Sequence, residues 1–396
     1  MSENVQKTLR DSAALRWLAL ILLAGAMFCS YIFMDILSPI KDLMWDTKGW
    51  DSTAFGTMQG SETFLNVFVF FLIFAGIILD KMGVRFTAIL SGAVMLVGAS
   101  INWYALTDMF AGSNLEVWFN EHLNYIPGFD ELGVSPFYKG MPASAKFSAI
   151  GFMIFGCGVE MAGITVSRGI VKWFKGREMA LAMGSEMALA RLGVATCMIF
   201  SPMFARLGGE VSVSRSVAFG VVLLMIALIM FIVYAFMDKK LDSQTGEAEE
   251  KDDPFKLSDL GKILTDSGFW LVALLCVLYY SAIFPFQKYA VNMLQCNLVF
   301  HQVDPSSIWA SNAITIIQYV IMLVVAACAF ASNFSKNKVA KYGLMGAAIV
   351  ALVVFCYMGY MRQSAETVFA VFPLLAVGIT PILGNYVDHK GKAATM

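Results

Sequence analysis

Gly76-Ile77-Ile78-Leu79-Asp80-Lys81-Met82-Gly83-Val84-Arg85 and Gly384-Asn385-Tyr386-Val387-Asp388-His389-Lys390-Gly391-Lys392 share one pattern, GxxxDxxG, and each copy follows an apolar run. The residue types suit a tight turn between membrane helices. Gly76 and Gly83, like Gly384 and Gly391, permit close helix approach and a sharp turn. Asp80 can cap a helix N-terminus, while Lys81 and Arg85 stay at the aqueous interface. Two copies on the same expected membrane face point to a duplicated unit, as in membrane proteins assembled from repeats.

The rest of the 396-residue chain reads as membrane protein: 58% of residues are hydrophobic and 14% charged, with a mean hydropathy of +0.69. That composition excludes a water-soluble fold. Apolar runs of the length that crosses a bilayer predict ten helices, over 15–37, 53–79, 84–107, 147–172, 178–206, 213–237, 268–292, 306–331, 342–361 and 367–384. With a cytoplasmic N-terminus, most of the 28 Lys and Arg fall in inside segments, so the positive-inside rule predicts both termini in the cytoplasm. The Ala24-Gly25-Ala26 stretch resembles a cleavage site, but its apolar run continues to Leu37, which reads as a first span. A net charge of -1 gives no basic bias toward nucleic acid. Seven cysteines without a CxxC pair, and three scattered histidines, predict neither a disulfide scaffold nor a metal site.

Two loops stand out. Residues 108–146 carry Asp108, Glu116, Glu121, Asp130 and Glu131, and Asn114 to Tyr125 fits a short amphipathic helix over the outer mouth. Residues 238–267 hold an acidic, polar stretch and then Phe255, Leu257, Leu260, Ile263 and Leu264 at near-helical spacing, which reads as a linker ending in a surface helix.

The first motif copy, with Gly76, Asp80, Gly83 and Arg85, resembles the signature between the second and third helices of the major facilitator superfamily. The stretch Val171-Lys172-Trp173-Phe174-Lys175-Gly176-Arg177-Glu178, followed by Ala180, Ala182 and Gly184, is similar to that family's loop between helices four and five. The resemblance implies two six-helix bundles rocking about a central site, with the Asp80 motif as a gating latch on the cytoplasmic side. Shorter matches resemble the branch containing the lysosomal dipeptide uniporter: Gly158-Val159-Glu160, Ala190-Arg191-Leu192-Gly193, and Tyr280 to Phe286. They imply Glu160 and Arg191 as substrate-binding residues. The glycine-rich run with Gly-Pro expected of drug/proton antiporters in helix five is absent, which disfavours that activity.

Depth supports the same pair. Glu160 lies 12 residues before Lys172 and Arg191 lies 13 after Glu178, so both sit roughly 18–20 Å from the cytoplasmic end on antiparallel neighbours. Ionisable groups at mid-bilayer are costly and are functional candidates by default. Arg191 would take a carboxylate in a bidentate grip and Glu160 an ammonium, which suits a peptide or amino acid. The alternative is a structural ion pair. Glu186, about 140° from Arg191 around the helix, is expected on another face, paired with Arg168 or Lys172 or serving proton coupling. Asp35, Glu62 and Lys288 are expected near the interface, where long side chains snorkel, with outer gating as the sharper alternative.

The expected fold is therefore an all-α polytopic membrane protein of major-facilitator type, with a complete N-terminal six-helix bundle and a partial C-terminal bundle. Its expected parts are an N-terminal bundle over 1–240, a linker over 241–267 and the partial bundle over 268–396. Within the last, 306–361 is an inserted hairpin: 61 residues separate position 15 from Gly76, but 116 separate position 268 from Gly384. By repeat symmetry four C-terminal spans are expected to be missing, since no apolar run follows the second motif. The expected activity is transport of a small polar solute by a monomer in a cell membrane, with protons as a candidate co-substrate and no cofactor. The rival is a sensor or assembly subunit that keeps the fold without flux. An enzyme is disfavoured, because no nucleophile, metal or paired-carboxylate cluster stands out.

Overall fold

The computed structural model describes residues 8–245, 261, 263–301, 303–304, 306–335 and 337–390. They form helices and connecting turns. The helices are α1 (Ala13–Met34), α2 (Lys41–Lys48), α3 (Ser52–Gly60), α4 (Phe64–Phe68), α5 (Phe71–Ala105), α6 (Asn114–His122) and α7 (Ala143–Phe174). There follow α8 (Met179–Ala205), α9 (Val213–Thr245), α10 (Ser267–Asn297), α11 (Asn312–Ala331), α12 (Lys338–Arg362) and α13 (Ala365–Lys390). Among the described residues, nine helical stretches are long and apolar enough to cross a membrane. The expected surface helix and Gly391 fall largely or wholly outside the described residues, and α9 continues past position 240.

The second expected helix, 53–79, is a correction. It is broken into α3, a 3₁₀ turn at Ser61–Thr63, α4, and the start of α5, with Phe70 in the left-handed region at φ 55°. Tight packing against α7 accounts for this: a Cβ on Gly156 would overlap the Glu62 backbone. The third helix joins the second through α5, which bends at Gly83 with φ 79° and ψ 169°. That region is open essentially to glycine alone, so the second motif glycine sets the turn. Gly76 has open space around its missing Cβ, so the close approach expected there is absent.

Two cores follow. In one, α1, α3, α5, α7 and α9 bury Phe33, Phe55, Phe155, Trp173, Phe231 and Tyr234. Gly98 and Gly151 face one another there, bringing the α5 and α7 backbones together. In the other, α8 meets α10 to α13 through Leu192, Met198, Val291, Met322, Phe355 and Phe369. Along α8, the longest neighbour is α13, and Gly184 and Gly384 let the two backbones close. Helices α11 and α12 pack on each other and on α13, and α12 buries only Ala348, Phe355, Met358 and Gly359. Helix α10 is buried only at Gln287, Lys288, Ala290 and Val291.

Candidate functional site

Antiparallel α7 and α8 carry Glu160 and Arg191 into the space bounded by α1 and α10. The charges of Arg191, Glu186 and Glu160 all act on the Tyr31 hydroxyl, as does Tyr280. The Arg191 guanidinium lies 6.0 Å from the centre of the Tyr31 ring, within cation–π range. It also donates to Gln287 Oε1 at 3.4 Å. Among the described residues Arg191 forms no ion pair with Glu160 or Glu186. The structure thus sets Arg191 against the Tyr31 ring, with Glu160 within electrostatic reach of the same tyrosine.

Glu186 departs from the sequence expectation. It lies within electrostatic reach of Arg191, although the two form no ion pair among the described residues. Its expected partners are engaged elsewhere: Arg168 meets Asp80 at 2.5 Å, and Lys172 meets Asp238 and Asp242, each at 2.7 Å. Asp80 therefore joins α5 to α7 through an ion pair. Asp238, fully buried, also accepts from the Trp173 indole at 3.0 Å, and Arg85 reaches Asp242 at 3.0 Å.

The second motif copy caps a helix. Helix α8 begins at Glu178 in the left-handed region, φ 47°, without a side-chain cap of its own. Asp388 of α13 supplies one, accepting from the Ala180 amide at 3.0 Å and the Leu181 amide at 2.7 Å. A carboxylate at a helix N-terminus answers both the unpaired amides and the dipole.

At the opposite end the interfacial expectation for Asp35, Glu62 and Lys288 is overturned. All three are buried, at 0%, 8% and 8% exposure. Lys288 of α10 lies 2.8 Å from Asp35 at the end of α1 and 3.9 Å from Glu62, and donates to the Met34 carbonyl at 2.6 Å. Gln287 donates to Asp35. Nearby, Lys41 meets Asn292 at 3.3 Å, Asn292 meets Asp42 at 2.8 Å, and Tyr289 meets the Ser52 carbonyl at 3.1 Å. Packing draws these side chains inward, where the two carboxyl groups meet one ammonium, so snorkelling does not apply.

Sequence reading missed Tyr31, Gln287, Asp238, and the polar positions Gln59 and Asn66 flanking Glu62. Gln59 Oε1 and both side-chain polar atoms of Asn66 are buried without a hydrogen-bond partner. A separate cavity of about 810 Å³ opens at the Asp35 end, lined by Arg206, Asp304, Gln318, Arg362 and Glu366 among others. Among the described residues no group of three or more metal-ligating side chains occurs.

Compared with known proteins, residues 23–394 match the family model described as Major Facilitator Superfamily. The lysosomal dipeptide transporter MFSD1 of Gallus gallus is 29% identical over 145 residues, covering 35% of this chain and 32% of that protein. The Homo sapiens MFSD1 is 24% identical over 280 residues, covering 68% and 52%. The chain thus spans about a third to a half of the length of these relatives. Among solved structures, the partially occluded inward-open xylose transporter XylE from E. coli is 10% identical, with a TM-score of 0.49, over 95% of this chain and 99% of that one.

Proposed function

This chain belongs to the Major Facilitator Superfamily, and from that premise we propose that it moves a small polar organic solute across a membrane by alternating access, with peptides or amino acids as the favoured class. The observation that carries the reading is Arg191, a mid-span guanidinium held, among the described residues, by a 3.4 Å bond to Gln287 and by the Tyr31 ring. Such a guanidinium has donors to spare for a carboxylate, which it can grip with two parallel bonds, whereas Gln287 takes one. Glu160, on the facing helix, would take the ammonium group. The names of the MFSD1 relatives agree with that class.

The same reading puts the Asp80 and Asp388 end in the cytoplasm and the Lys288 end outside, in a cell membrane, and takes the carrier as a monomer and not an enzyme. It treats 1–240 as one bundle, 268–396 as part of a second, and 306–361 as a hairpin inserted into that second part. Its test is uptake of labelled dipeptides and amino acids into proteoliposomes, with and without a proton gradient. Glu160→Gln and Arg191→Ala are each expected to abolish substrate binding in a folded, inserted protein. Normal binding by both variants would refute the site. Loss of expression in both, rescued by the charge-swapped double variant, would favour a structural ion pair instead.

A further inference from the structure

Asp35, Glu62 and Lys288 bring two carboxyl groups to one ammonium in a buried space between α1, the 61–63 turn, α7, α8 and α10. Counted as ions, the cluster holds one uncompensated negative charge. The surroundings do not offset it. From α7 come Phe152, whose ring faces the Lys288 ammonium at 5.7 Å, and Glu160, whose charge acts on Glu62. From α8 comes Cys197, fully buried and electrostatically coupled to Asp35 and Lys288. Arg191 connects only through Gln287, which is neutral. An uncompensated charge in such a place is disfavoured, and taking up a proton removes it.

The contacts say which carboxyl takes the proton. Asp35 accepts from Lys288 at 2.8 Å and from the Gln287 amide, which marks it as the anion. Among the described residues the cation beside Glu62 is the same ammonium, at 3.9 Å, already engaged at closer range by Asp35 and the Met34 carbonyl. We propose that the Asp35–Glu62–Lys288 cluster is a proton-binding site, with one proton held on Glu62 while α10 sits on α1. Separation of α10 from α1 removes Lys288 and admits water, so Glu62 ionises and releases its proton to that face. Since the closed arrangement binds one proton more than the open one, acid favours closure and rising pH favours opening. The movement rests on the alternating-access reading above, whereas the proton does not.

Infrared difference spectroscopy on the reconstituted protein, in H₂O and D₂O, reads the proton without any transport. A deuterium-sensitive carboxylic-acid carbonyl band near neutral pH is expected, lost in Glu62→Gln and kept in Glu160→Gln and Glu186→Gln. A Glu62→Gln spectrum with every acid band of the parent would overturn the assignment. Hydrogen exchange of the 285–292 segment, corrected for the intrinsic pH dependence of exchange, reads the movement. It should quicken with rising pH in the parent and be flat in Glu62→Gln, which mimics the protonated acid. A parent flat after correction, with the infrared band present, would overturn the coupled movement and leave the proton site standing.

Discussion

Asp388→Ala removes a cap that one helix supplies to another. The two bonds, at 2.7 and 3.0 Å to the Leu181 and Ala180 amides, are charge-assisted and serve an α8 that has no cap of its own. Replacing an N-cap by alanine costs about 0.5–2 kcal/mol. Asp388 is exposed, so solvent competes for those amides and the helix dipole is screened. The expected cost is therefore about 1 kcal/mol, or about a fivefold rise in the population with α13 released from the start of α8. Hydrogen exchange across 179–186 measures it: those amides should exchange about fivefold faster in Asp388→Ala. Asp388→Asn, which keeps an acceptor oxygen but loses the charge, should fall between. Unchanged exchange in the alanine variant would refute the inter-helix cap, and equal loss in asparagine would assign the effect to charge alone.

Three further outcomes are expected. Asp80→Asn should impair transport while equilibrium substrate affinity stays put, because the Asp80–Arg168 pair is partly exposed and remote from Arg191; a normal transport rate would count against a gating role. Gly83→Ala should lower stability by about 1–3 kcal/mol, seen as a reduced thermal midpoint, because φ 79° with ψ 169° is strained for any side chain. The Asp11 carboxyl is held below its ordinary range by the Thr8 amide and hydroxyl and then by Arg177. With its folded value depressed, its contribution is present above the ordinary aspartate value of about 3.9 and is lost as pH falls through the lowered one, so Asp11→Asn should flatten that acid limb of a stability profile.

The spans were legible because each is an apolar run long enough to cross hydrocarbon, and Gly83 was legible because a turn residue sits in a recurring motif. The break within 53–79 was not, since its cause is the α7 backbone arriving at Glu62 from nearly a hundred residues away. Glu160 and Arg191 were found by asking which charges share a depth. The same question, put to Asp35, Glu62 and Lys288, would have flagged three opposed charges near the ends of three expected spans. Tyr31 and Gln287 carry no such signal, because a neutral polar residue in a membrane helix costs too little to mark itself. The partners of the two motif aspartates were also invisible: Asp388 meets the start of α8, which has no side-chain cap of its own, and Asp80 meets Arg168 of α7, both distant in sequence.

Gln287 joins what would otherwise be two separate polar groups. Its carbonyl oxygen accepts from Arg191 and its amide donates to Asp35, while the adjacent Lys288 holds Asp35 and approaches Glu62. The bond to Arg191, at 3.4 Å, is longer than the usual N–H···O distance of about 2.9–3.0 Å, so it is the link most easily exchanged. A carboxylate reaching Arg191 would take that donor and leave Gln287 with Asp35 alone. The cluster at the far end would then keep its charges but lose its bond to Arg191 of α8. At the other end of α8, Asp388 is untouched by such an exchange. On the reading proposed above, one helix carries a tie at the Asp35 end that a ligand at Arg191 would loosen and a tie at the Asp388 end that it would not reach directly, and that asymmetry would let occupancy favour opening at one end over the other.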